Sequence, residues 1–114
     1  MALPTYRDLC ACCKAVGVPY ARIQWDAQDG SSPPPLPYAL LVPGTTQDAR
    51  GGDANRHART PYVLELYERG SGDMGLEARL EAALTEAGIP YQRYCVPLGG
   101  GVVEMAYHVA VSGR

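Results

Sequence analysis

The sequence predicts an α+β domain, with two helices packed on one face of a mostly antiparallel sheet of about five strands, in the order αββ-β-αββ. Three observations lead there. The chain repeats a unit: Ala15-Val-Gly-Val-Pro-Tyr-Ala-Arg-Ile23 and Glu86-Ala-Gly-Ile-Pro-Tyr-Gln-Arg-Tyr94 each follow a helical pattern and precede an extended one. Residues 102–111 alternate apolar and mixed positions with the two-residue period of a strand. Between the units, 61–68 are densely apolar and extended, and Gly70-Ser-Gly72 closes them.

The first helix spans about Thr5 to Val16. Thr5 suits an N-cap, with Asp8 three residues on as the acid of a capping-box variant. Tyr6, Leu9, Cys10, Cys13 and Val16 form its buried stripe, and Cys12 points elsewhere. Gly17 and Gly88 end the two helices, since glycine takes the left-handed conformation without penalty; Pro19 and Pro90 then forbid more helix. The first strand runs from Tyr20 to about Asp26, with Ile23 and Trp25 inward. Gln28-Asp-Gly-Ser-Ser-Pro-Pro-Pro35 is a loop whose triple proline acts as a stiff connector. The second strand is Pro37 to Val42. The third, Pro61 to Glu68, carries apolar residues on both faces, as a central strand of a sheet covered on both sides would. Asp73 caps the second helix. Its stripe is Leu76, Leu80, Ala83, Leu84 and Ala87, and Glu77, Arg79, Glu81 and Glu86 form its solvated side. Tyr91 to Val96 make the fourth strand, and Pro97-Leu-Gly-Gly-Gly101 the turn. The fifth strand, 102–111, turns Val103, Met105, Tyr107, Val109 and Val111 to the core.

A chain of 114 residues is one domain, 1–114. Its net charge of −2 supplies no clustered Lys and Arg for gripping nucleic acid. No apolar run is long enough for a membrane helix, and Met1-Ala-Leu-Pro leads straight into a capped helix rather than a signal peptide. Synthesis and assembly in a cytoplasm are the expectation. Phe is absent and Tyr occurs eight times, which suits half-covered sheet faces and interfaces.

Chemistry is sparse. Cys10, Cys12 and Cys13 lack the second knuckle or closely spaced histidines of a zinc site, so they read as small apolar residues. Cys95 and His108 lie on strands that should pair, leaving a Cys–His pair open in principle. Glu65, Glu68, Glu77, Glu81 and Glu104 are scattered over two strands and a helix, and Glu77 with Glu81 reads as a solvated helical face. No cofactor and no metal are expected, and no catalytic residue is assigned.

The long polar segment from Thr45 to Arg59 holds almost nothing that could enter a core. A loop this long in so small a domain is normally functional or disordered. Its Gly51-Gly52 pair lacks the lysine and helix of a phosphate-binding loop. The segment reads as a flexible arm that orders against a partner, with Asp48, Arg50, Asp53, Asn55, Arg56 and Arg59 as candidate oligomer-interface residues.

Taken in order, the helix ending in Gly17-Val-Pro-Tyr, the Leu36-Pro-Tyr-Ala-Leu-Leu-Val strand, Asp53-Ala54-Asn55 in the polar loop, Tyr62-Val-Leu-Glu-Leu-Tyr67, the Glu77–Leu84 helix, Gly88-Ile-Pro-Tyr91, and a last strand through Glu104, Met105 and Tyr107 resemble a known family. It is that of the tail-completion, or tail-terminator, proteins of long-tailed bacteriophages and prophages, also called minor tail or head–tail joining proteins. The resemblance covers nearly the whole chain. It implies a structural virion protein and not an enzyme: a homo-oligomeric ring, a hexamer, capping the tail tube protein and presenting a docking surface to the head–tail connector and neck proteins. DNA would pass through its lumen without sequence-specific binding. The head-proximal end of the tail would be its final place, reached from the host cytoplasm. The Asp29-Gly-Ser-Ser-Pro-Pro-Pro insert, the glycine-rich last turn and Cys10-Ala-Cys-Cys depart from the family pattern. Two alternatives stand beside it: a phage head-closure or neck adaptor, and, from another class, a small Cys-dependent enzyme or redox protein.

Overall fold

A computed structural model describes residues 3–25, 33–44 and 59–112. The elements are α1 (Tyr6–Val16), β1 (Tyr20–Arg22), β2 (Tyr38–Pro43), β3 (Arg59–Arg69), α2 (Met74–Glu86), β4 (Tyr91–Gly99) and β5 (Val102–Ser112). The chain is therefore α+β in the expected order. The strands form one sheet, β1-β2-β3-β5-β4, antiparallel throughout except for the short parallel pair β1–β2.

The two repeats fold as twins. Gly17 donates its N–H to Lys14 (3.1 Å) and Val18 to Cys13 (3.2 Å); Gly88 donates to Thr85 (3.0 Å) and Ile89 to Leu84 (2.9 Å). Both are Schellman ends, with the glycine at φ 77° and 76° and a buried apolar residue, Val18 or Ile89, after it. Proline then launches a strand, and the two strands so launched, β1 and β4, occupy opposite edges of the sheet. At the other end of α1, Thr5 Oγ1 accepts from the Asp8 N–H (3.3 Å) while Asp8 Oδ2 accepts from the Thr5 N–H (2.8 Å), completing the capping box. Just before it, the Pro4 carbonyl accepts from the Ser112 N–H (2.7 Å), and Thr5 forms a parallel bridge with Ser112.

One sheet face carries the core. Ala39 and Leu41 of β2, Tyr62, Leu64 and Leu66 of β3, and Met105, Tyr107, Val109 and Val111 of β5 pack against Leu9, Cys12 and Cys13 of α1 and Leu76, Leu80 and Leu84 of α2. Four expectations need correction. Cys12 is buried, because α1 packs on α2 as well as on the sheet, and its Sγ lies 3.5 Å from the Ala83 carbonyl. Cys10 is only half-buried. The first strand stops at Arg22: Ile23 takes φ +73°, Gln24 donates back to the Arg22 carbonyl (2.8 Å), and this tight γ-turn leaves Ile23 45% exposed and Trp25 half-buried rather than inward. Lastly, β3 is central but covered on one face only; among the described elements none lies over its Pro61, Val63, Glu65 and Tyr67 side, where burial is intermediate.

Candidate functional site

Asp48, Arg50, Asp53, Asn55 and Arg56 lie outside the described residues. Arg59 begins β3, exposed, in register with Ser112.

The surface that the described elements leave uncovered is the second sheet face. Registers Tyr38↔Tyr67, Leu40↔Glu65 and Val42↔Val63 join β2 to β3; Val63↔His108, Glu65↔Ala106 and Tyr67↔Glu104 join β3 to β5; Gln92↔His108, Tyr94↔Ala106 and Val96↔Glu104 carry the face on to β4. Aromatic rings run across one side of it. Trp25 meets Tyr38 edge-on (5.9 Å), Tyr38 leans on Tyr67 (5.4 Å), and on the far side Tyr94 meets His108 edge-on (5.0 Å). The Tyr67 hydroxyl donates to Glu65 Oε1 (2.6 Å); burial and that bond push its pKa above the usual tyrosine range. Burial, helped by the neighbouring Glu65, also raises Glu104. Trp25 Nε1 is buried and has no acceptor among the described residues.

This face runs into an open edge. Among the described residues β4 pairs with β5 along one side only, and its residues from Gln92 onward are exposed, including Tyr94 (52%), Val96 (38%) and Leu98 (48%). A long edge strand with apolar side chains is a ready template for another chain, which solitary proteins blunt with charge, bulges or covering loops. Here Pro97 and a bulge between Pro97 and Gly99 interrupt only its last part.

No protein-family model matches this chain. Nor does any curated protein match its sequence.

The cysteines and His108 are not brought together. Cys95 stands opposite Met105, on the helix side of the sheet; His108 stands opposite Gln92, on the uncovered side. A strand's alternation puts them on opposite faces, so no proton can pass directly between them. Cys13 is fully buried and its thiol is pushed up to about 12, first by burial; burial also raises Cys12. Both remain thiols at neutral pH, the unreactive form. Among the described residues, no three His, Cys, Asp or Glu side chains are grouped to hold a metal ion.

The acids depart most from expectation. Glu77 is not solvated but 4% exposed, and Glu68 is 1% exposed. They meet where β3 turns into α2: Glu68 Oε1 accepts from the Asp73 N–H (2.9 Å), and each carboxyl keeps a buried Oε2 with no donor. Glu81 is half-buried and satisfied three times, by Tyr107 Oη (2.8 Å), Arg93 Nη1 (2.8 Å) and Tyr91 Oη (3.3 Å). The signal existed in the sequence. Glu68 continues the 62, 64, 66 alternation, and Glu77 is three and seven residues before Leu80 and Leu84.

Proposed function

We propose that this protein is a structural assembly component of a long-tailed phage particle, a tail-terminator-like subunit that forms a homo-oligomeric ring on the tail tube. The observation that carries the reading is the uncovered aromatic sheet face continuous with the open β4 edge. A face of this composition, built from Tyr, Val and Leu with a few acids, suits burial against protein better than prolonged exposure to water. The resemblance in element order and in the Gly-Val-Pro-Tyr and Gly-Ile-Pro-Tyr units supplies the tail context. A ring needs two different patches on each subunit, and the fold offers two dissimilar edges, the three-residue β1 and the nine-residue β4. The candidate residues from Asp48 to Arg59 would contribute to the same contacts.

Light scattering over a concentration series tests this. Assembly towards a closed multiple of the 12.2 kDa chain mass is expected, with six copies the anticipated ring. Tyr94→Arg combined with Val96→Arg should hold the protein as a folded monomer, because both side chains lie on the exposed edge strand. A wild-type chain that stays monomeric at every concentration and in the presence of purified tail-tube protein would refute the proposal.

A further inference from the structure

We propose that Glu68 and Glu77 hold one proton between them, making the corner between β3 and α2 a proton-binding clasp that loosens when the proton leaves. The inference does not depend on the assembly reading, since both residues lie on the core side of the sheet. Two buried carboxylate oxygens, Glu68 Oε2 and Glu77 Oε2, have no hydrogen-bond donor, although both converge on the same point beside Gly72. Two acceptors cannot satisfy one another. One added proton turns them into a donor and an acceptor, and a single bond then satisfies both.

The surroundings favour that proton. From α2, Asp73 and Glu81 add negative charge; from β4, Arg93 is the facing cation, and β5 contributes the neutral Tyr107 hydroxyl. Arg93 Nη1 is 3.9 Å from Glu77 Oε1 but 2.8 Å from Glu81 Oε2, so its charge is committed mainly to Glu81. Arg93 thus reaches Glu81 and, more distantly, Glu77, and neither of its contacts is to Glu68. Gly72 completes the site. It sits at φ +92°, and a Cβ there would lie 2.7 Å from Glu77 Oε2 and 3.0 Å from Glu68 Oε2, so only glycine leaves the two oxygens room.

Burial, reinforced by the bond to Glu77, pushes the Glu68 carboxyl up to about 7 from its ordinary 4.5. The folded state therefore holds a proton that the unfolded chain has already lost. The stabilisation is complete below about pH 4.5 and disappears as pH rises through about 7. The proton passes to solvent base, leaving two carboxylates that repel across the first turn of α2.

Glu68→Gln is the diagnostic variant. Its Oε1 keeps the Asp73 N–H, and its amide donates permanently to Glu77 Oε2. The thermal midpoint of the variant minus that of the wild type should rise as pH is taken from 5 to 9. In the wild type, carbon-13 NMR should show one Glu carboxyl titrating near 7 instead of near 4.5. A midpoint difference that stays flat with pH, or a titration in which both carboxyls ionise below pH 5, would overturn the proposal. If the variant does not fold, the wild-type titration decides alone. Stabilisation of the wild type by calcium at pH 8, together with no protonated-carboxyl infrared band at pH 6, would make the pair a cation site and equally overturn it.

Discussion

Removing the Tyr107 hydroxyl isolates one polar contact inside the core. The ring is fully buried and sits edge-on to Tyr91 at 5.5 Å, and phenylalanine would fill the same space. Only the bond to Glu81 Oε2 at 2.8 Å is lost. A hydrogen bond to a charged group contributes about 1.5–3 kcal/mol. The partner is not left bare, because Arg93 at 2.8 Å and Tyr91 at 3.3 Å still satisfy Glu81. The loss in Tyr107→Phe should therefore fall low in the range, at about 1–2 kcal/mol. For a domain of this size that corresponds to roughly 4–8 °C in thermal midpoint. Urea unfolding at a concentration where the protein is monomeric should show a lower midpoint with an unchanged slope. Arg93→Ala is the companion measurement: its side chain is 46% exposed, and losing a partly solvated pair should cost no more than about 1 kcal/mol. A Tyr107→Phe loss within about 0.5 kcal/mol, the level of ordinary surface changes, would refute burial of the hydroxyl against Glu81.

Three further outcomes are expected. Leu84→Ala removes a fully buried side chain from α2 and should cost about 2–5 kcal/mol by denaturant unfolding; a loss below about 1 kcal/mol would contradict the packing of that face. Ile23→Asn should stabilise the domain by about 1 kcal/mol, because a β-branched residue is strained at φ +73° and asparagine tolerates that conformation; a comparable loss in calorimetry would mean that the half-exposed side chain matters more than the strain. Gly72→Ala should cost about 2 kcal/mol or more, since it adds strain at positive φ and drives a methyl group against both orphaned carboxyl oxygens; wild-type stability would show that these oxygens lie elsewhere.

Local chemistry was the legible part of this chain. Capping, glycine stops and proline launches act within a few residues, so Thr5, Gly17, Asp73 and Gly88 announced both helices and both edge strands. The inward set of β5, from Val103 to Val111, followed from alternation alone. Long-range placement was not legible in the same way. Cys12 is buried because a second helix arrives from 71 residues along the chain, and nothing near Cys12 records that. Glu68 and Glu77 are in phase with their buried stripes, but a charged side chain argues for solvent more strongly than phase argues for burial. Of the candidate interface, the sequence supplied the tyrosines; that they share one uncovered face followed from the strand order and register.

The short bond from Ser112 to Pro4 brings the two ends of the described chain to a single point on the molecule. The bond also fastens the lead-in to α1 onto the last strand of the sheet. Breaking this one contact would loosen the lead-in to α1 and the last residue of β5 together, so the two segments share a single seam.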